Sequence, residues 1–204
     1  MRFTQTWFED GPKSFWEAVV RGRPIRSYLE IGSFEGASAC WAIQNLPELE
    51  QVVCIDTWEG GSEHLEYDLD MSEVEKLFEQ NITEAGQALP RDINLVKLKH
   101  KSKDGLLQLL LEGYEQCFDL VYIDGSHKAR DVLTDLILSF DLLGDGGLMI
   151  IDDYLWVPPS GHLDQNVFNP AETPKLAIDA FTTIYRDSLK FIDCSWSQVM
   201  CEKR

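Results

Sequence analysis

The chain has 204 residues, 44% of them hydrophobic, which suits a single domain with a sizeable core and requires no second one. Asp and Glu outnumber Lys and Arg by 35 to 18, for a formal charge of −17, so the surface repels a phosphate backbone and nucleic acid is excluded as a partner. No apolar stretch approaches the roughly 20 residues that span a bilayer, Met1 to Trp16 lacks a signal peptide's apolar run, and Cys40, Cys54, Cys117, Cys194 and Cys201 form no C-x-x-C pair; the expectation is a soluble cytoplasmic protein with reduced thiols and no membrane partner.

Near the start, Trp7, Phe8, Phe15, Trp16, Val19 and Val20 share a helical spacing. This predicts a helical segment within residues 1–25 that packs on the domain or roofs a pocket, core packing being the commoner use of such aromatics. Ser27 to Ile31 reads as a short buried strand that breaks at Gly32-Ser33-Phe34-Glu35-Gly36-Ala37-Ser38, and Ala39 to Leu46 continues as a helix. A second strand, Gln51 to Ile55, ends at Asp56. Glycines at a strand-to-helix turn let a ligand approach the backbone, and an acid at the next strand's tip can accept two ribose hydroxyls. This is a nucleoside-binding half. The glycines follow G-x-x-x-G, not G-x-G-x-x-G, and no Gly-Lys-Ser/Thr follows a strand, which disfavours a dinucleotide and a P-loop.

Just past Asp56, Thr57-Trp58 offers an indole that either stacks on an adenine or anchors the acidic loop behind it, while His64 lines the pocket or sits on the surface. Glu59 to Glu84 is acid-rich, with Val74, Leu77, Phe78 and Ile82 on one apolar face, an amphipathic helix. Lys97, Lys99, Lys101 and Lys103 surround a third strand, where lysine discourages edge pairing.

The runs Asp119 to Ile123 and Leu148 to Ile151 are too continuously apolar for strands with one wet face. Between them Ala129, Val132, Leu133, Leu136, Ile137, Phe140 and Leu143 form a helical stripe that Gly144, Gly146 and Gly147 stop. The strands end in Asp124-Gly125-Ser126-His127 and Asp152-Asp153. Ligands of open parallel sheets bind beyond the carboxyl ends of the strands, so Asp124, Asp152 and Asp153 are expected to converge. One acid alone could be a helix or loop cap; clustered carboxylates repel unless a cation or a proton relieves them. Residues 155–173, with Trp156 and several prolines, read as a substrate lid or as disorder. A helix opening near Pro174 and two tightly joined strands, Lys190 to Trp196 and Gln198 to Glu202, complete the chain.

On these residues, in this order and spacing, the sequence resembles the class I S-adenosylmethionine-dependent methyltransferases, in the branch related to catechol O-methyltransferase. The resemblance implies one domain over residues 1–204, a three-layer Rossmann-like α/β fold, and a mostly parallel seven-stranded sheet closed by a C-terminal antiparallel hairpin. It implies that Glu30, Gly32, Ser33, Gly36 and Ser38 wrap the amino-acid part of S-adenosyl-L-methionine, and that Asp56, with Thr57 and Trp58, serves the ribose side. Ser102, within Lys101 to Lys103, would flank the adenine, and Asp124, Gly125 and His127 would complete the cofactor site. In metal-dependent members a divalent ion is held at the positions of Asp124, Asp152 and Asp153, and hard oxygen ligands suit Mg²⁺ or Mn²⁺. The family's general-base lysine is replaced here by His127, followed by Lys128. The expected catalytic residues are therefore His127 and Asp124, and the expected partner is a small-molecule methyl acceptor carrying a hydroxyl. A metal-free enzyme and a non-catalytic cofactor-binding protein are the alternatives; oligomeric state stays open, a homodimer included.

Overall fold

In the computed structural model of the chain, which describes residues 1–61, 69–157, 169–195 and 197–204, helices and strands alternate along most of the length. In order they are α1 (Pro12–Val19), β1 (Ser27–Ile31), α2 (Ala37–Asn45), β2 (Gln51–Asp56), α3 (Met71–Gln87), β3 (Asn94–Lys99) and α4 (Ser102–Leu111). Next come β4 (Phe118–Ile123), α5 (Ala129–Leu142), β5 (Leu143–Ile151), a 3₁₀ turn (Pro170–Glu172), α6 (Pro174–Ile184), β6 (Leu189–Ser195) and β7 (Gln198–Lys203). The seven strands form one sheet in the order β3-β2-β1-β4-β5-β7-β6. The first five run parallel, and β7 inserts antiparallel between β5 and β6. This is the sheet that the resemblance implied.

Side chains alternate across a strand, and here both faces are covered. Tyr28, Leu120, Tyr122 and Ile150 face one core layer with Trp16, Trp41 and Phe78 of α1, α2 and α3. Leu29, Ile31, Val53 and Val121 face the other with Leu106, Leu136 and Phe181 of α4, α5 and α6. Every residue of β1 is buried, which is why the central strands read as unbroken apolar runs. Trp16 has no exposed surface and meets Tyr28, Trp41 and Tyr122 edge-on, so the N-terminal helix is part of the core.

Three expectations change in detail. The strand expected over Leu148 to Ile151 starts earlier: β5 begins at Leu143, directly after Leu142, so the glycines expected to stop the helix lie inside the strand, whose pairing with β4 shifts register between Phe118 and Leu120. A Cβ on Gly147 would lie 2.6 Å from a Leu143 methyl, so glycine there lets the strand fold back closely on its own start. In the acidic segment, among the described residues, α3 begins at Met71, where Asp70 accepts from Ser72 N and caps the first turn. The lysines of edge strand β3 do not simply meet solvent: Lys97 pairs with Glu75 and Glu79, both at 2.6 Å, and Lys99 with Glu75 at 2.5 Å. His64 and most of the expected lid, residues 158–168, lie outside the described residues. Among the described residues no helix is long and apolar enough to cross a membrane, and all five cysteines are free.

Candidate active site

Strand order reverses between β1 and β4, and a crevice at such a point is where open α/β sheets bind ligands. Gly32, first residue past β1, has φ +83° and donates its N–H to Ile55 O at 2.9 Å. A Cβ at this position would lie 1.9 Å from the Asp124 carbonyl oxygen. The glycine is thus required by the packing of one strand-end turn on the other, before any ligand is considered. Gly36, φ +80°, is the N-cap of α2, and its missing side chain leaves room for Phe78 and Ile82.

Glu30 has no exposed surface and accepts from Tyr28 Oη at 2.7 Å, from Ser38 Oγ, and from Cys54 Sγ at 3.6 Å. Burial raises its carboxyl above the usual range, opposed by the hydrogen bonds from Ser38 and Tyr28. In this geometry Glu30 and Ser38 brace the turn from beneath. Ser33 Oγ, in the same turn, is buried without a hydrogen bond of good geometry, which suits it to a polar ligand group.

At the tip of β2, Asp56 Oδ2 accepts from Phe34 N at 2.9 Å and Oδ1 from Trp58 N at 2.8 Å. Each carboxylate oxygen has capacity for a further bond, so the acid ties the two turns together while remaining able to receive hydroxyls. Thr57 Oγ1 accepts from Glu59 N at 3.1 Å. Trp58 differs from the stacking expectation. Its indole is buried, 4.7 Å from the Phe78 ring and beneath Lys97 Nζ, and Nε1 donates to Phe34 O at 2.9 Å, which makes it the loop anchor. Ser102 opens α4, partly exposed.

The ends of β4 and β5 bring the expected acids together, each already engaged. Tyr122 Oη lies 3.0 Å from Asp124 Oδ2 and donates to Asp152 Oδ2 in a very short contact, and Gln198 Nε2 donates to the same Asp152 oxygen at 2.6 Å. Gln198 is in turn held by Trp16 Nε1 at 3.2 Å. Asp153, φ +60°, pairs with His127 Nε2 at 2.8 Å, and the His127 ring stacks on Trp156 with centroids 3.9 Å apart. Burial, then the charges of Asp152 and Asp153, raises Asp124 well above the carboxylate range. Burial and then Asp153 push Asp152 up to about 6. Gly125 packs against Ile31, where a Cβ would stand 3.1 Å from that side chain.

Among the described residues no group of three or more His, Cys, Asp or Glu side chains is arranged to hold a metal ion. Asp152 is turned toward Tyr122 and Gln198, and Asp153 toward His127. Sequence reasoning missed Tyr122 and Gln198 as components of this cluster, and named Trp16 and Trp156 only as part of a packing or pocket-roofing helix and of the expected lid. Tyr122 was legible in principle, since it shares a strand face with Asp124 two residues on; Gln198 and Trp16 reach the site only through tertiary packing.

The reversed strand order and the antiparallel hairpin define a class I methyltransferase fold. A family model for a methyltransferase domain matches residues 29–154, so the chain belongs to that family. It is similar to the O-methyltransferase of Bacillus cereus solved with SAH, at TM-score 0.63 and 19% identity over 95% of this chain and 80% of that one. It is equally similar to TomG of Streptomyces achromogenes, an O-methyltransferase of tomaymycin synthesis solved with SAM, at TM-score 0.63 and 19% identity over 94% and 79% of the two chains. At these identities the likeness is one of fold. An uncharacterized protein, R132, of Acanthamoeba polyphaga mimivirus is 26% identical over 128 residues, 63% of this chain. The chain spans about half the length of that relative, 51%.

Proposed function

We propose that the protein transfers a methyl group to a hydroxyl of a small molecule, with His127 as the general base. The observation that carries this reading is the His127–Asp153 pair, 2.8 Å between Nε2 and Oδ2, placed on the turn that follows Asp124. The bound cofactor would supply an electrophilic methyl; what falls to the protein is to align the acceptor oxygen and remove its proton. Asp153 fixes the imidazole orientation and stabilises the imidazolium that forms when His127 takes that proton. Trp156, stacked on the ring, restricts its rotation. The turns after β1 and β2 would hold the cofactor: the buried Ser33 Oγ suits its amino-acid part, Asp56 its ribose, and Ser102 with Gly125 the adenine side. The neighbours solved with SAM or SAH support the same cofactor, and their being O-methyltransferases supports oxygen as the acceptor atom.

A second reading rests on Asp124, Asp152 and Asp153, three acids on adjacent strand ends. Two of them carry raised pKa values through burial and, after it, the charge of neighbouring acids. Their oxygens have the chemistry for Mg²⁺ or Mn²⁺, which would lower the acceptor's pKa, but the hydrogen bonds of Tyr122, Gln198 and His127 would first have to be exchanged. The geometry as it stands favours the His127–Asp153 base. Both readings meet in one experiment: methyl release from S-adenosylmethionine into a panel of small hydroxyl compounds, with and without chelator. The expected result is turnover that survives chelation and falls about 10²–10⁴-fold in His127→Ala, the usual range for a lost general base. Turnover abolished by chelation and restored by Mg²⁺ would move the assignment to the three acids; failure of the protein to bind SAH at all would remove the cofactor itself.

A further inference from the structure

The turn that follows β1 does not stand by itself. Glu35, inside Gly32–Gly36, is 1% exposed, and both carboxylate oxygens are taken by one residue of the N-terminal segment. Oε2 accepts from Thr4 N at 2.7 Å and Oε1 from Thr4 Oγ1 at 2.5 Å. Asn81 of α3, also 1% exposed, supplies a second fastening: Oδ1 accepts from Arg2 N at 2.7 Å, while Nδ2 donates to Arg2 O at 2.8 Å and to Glu35 O at 3.0 Å. One amide thus grips the segment and the turn at once. Farther along, the Trp7 ring lies 5.1 Å from Phe34, whose N–H is the group held by Asp56.

We infer that Glu35 and Asn81 are positioning residues that couple docking of the segment from Arg2 to Trp7 to the shape of the cofactor turn. This rests on the cofactor reading above. A buried carboxylate or amide deprived of its partners bears the full cost of desolvation. If the segment lifts away, Glu35 and Asn81 must turn toward water, and Glu35 can do so only by moving the turn of which it is part. Anything that fixes the turn therefore holds the segment down, and by linkage the segment strengthens whatever binds the turn to the same degree. The anchoring is made by side chains that reach neither the expected methyl acceptor nor the His127–Asp153 pair, so it acts on cofactor binding rather than on proton transfer.

The test uses the full chain and SAH as the probe. Calorimetric titration should show the Kd for SAH raised at least about tenfold in Glu35→Ala and restored to within about threefold of wild type in Glu35→Gln, whose amide can accept from Thr4 N and donate to Thr4 Oγ1. In the wild-type protein, saturating SAH should slow hydrogen exchange at the Arg2 and Thr4 amides at least about tenfold, a readout that needs no variant to fold. A folded Glu35→Ala protein that binds SAH within about twofold of wild type overturns the coupling, and so does exchange at Arg2 and Thr4 that SAH leaves unchanged. Wild-type protein that fails to bind SAH would instead overturn the cofactor reading, a result distinct from either.

Discussion

The two halves of the crevice treat their acids differently. On the β1–β2 side, Glu30, Glu35 and Asp56 are each satisfied by hydroxyls or backbone N–H groups: Glu30 by Tyr28 and Ser38, Glu35 by Thr4, and Asp56 by Phe34 and Trp58. On the β4–β5 side, Asp124 and Asp152 share one phenol and repel each other, and Asp152 is helped by Gln198, 46 residues beyond it. Hydrogen-bond donors stabilise a carboxylate, whereas a neighbouring carboxylate raises its pKa. Burial raises Glu30 as it raises Asp124 and Asp152, but only the latter two also carry the charge of neighbouring acids, so the first half is a hydrogen-bonded frame and the second a set of mutually repelling acids.

The largest effect should come from the contact that joins the two halves. Gly32→Val places a β-branched side chain at φ +83° with its Cβ 1.9 Å from the Asp124 carbonyl oxygen. The expected cost exceeds about 4 kcal/mol, because positive-φ strain and a backbone clash act together. Urea denaturation should report either failure to fold or a midpoint lowered accordingly, and SAH should give no thermal shift. Near-native stability with binding alone lost would mean that the turn can move away from β4 and that the glycine serves the ligand.

The same contrast predicts where pH should act. Asp135, on α5, is 1% exposed and has no hydrogen bond of good geometry; Oδ2 lies 3.9 Å from the point where a Cβ on Gly125 would stand. Burial pushes its carboxyl up to about 7, with Ser102 opposing and Asp131 adding to the rise. A carboxyl whose folded-state pKa is raised keeps its proton in the native state at pH values where the unfolded chain has released it. Stability is then lost as pH climbs from the ordinary carboxylate range toward 7, and the loss is complete above that. Asp135→Asn should leave stability near pH 4 almost unchanged and raise it at pH 8 by up to roughly 4 kcal/mol, since each pH unit separating the folded-state and unfolded-state pKa values corresponds to about 1.4 kcal/mol. Denaturation curves at the two pH values decide it. A constant difference between variant and wild type would place a further hydrogen-bond donor on Asp135.

Legibility followed the same division. The central parallel strands could be read because burial on both faces turns them into apolar runs, and the turn after β1 because glycine and acid spacing there is local. The β4–β5 side could be read only as far as its acids. Gln198 arrives from the C-terminal hairpin and Trp16 from the N-terminal helix, so no spacing in the chain announces them. Trp58 shows the converse: an aromatic next to Asp56 looks available for stacking, and only the packing of α3 reveals that Phe78 already holds it. Glu35 lay inside the recognised turn, but its partner Thr4 precedes it by 31 residues, a distance at which no local rule operates.

The smallest of these effects sharpens the claim that the β1–β2 half is a frame. Asp56→Ala removes an acceptor for ribose hydroxyls, a loss of about 1.5–3 kcal/mol for hydrogen bonds to a charged group. It also frees Phe34 N and Trp58 N, which Asp56 now holds at 2.9 and 2.8 Å. Asp56→Asn keeps one carbonyl acceptor for one of those N–H groups and presents an amide where the other oxygen was. If Asp56 acts on the ligand directly, both variants should weaken SAH comparably while the unliganded proteins melt within a few degrees of wild type. If its main duty is to tie the two turns, Asn should retain part of the affinity that Ala loses, and the loss in Ala should be accompanied by a lower melting temperature without ligand. Paired calorimetry and thermal melts separate the two roles, because a ligand contact changes affinity alone and a frame contact changes both.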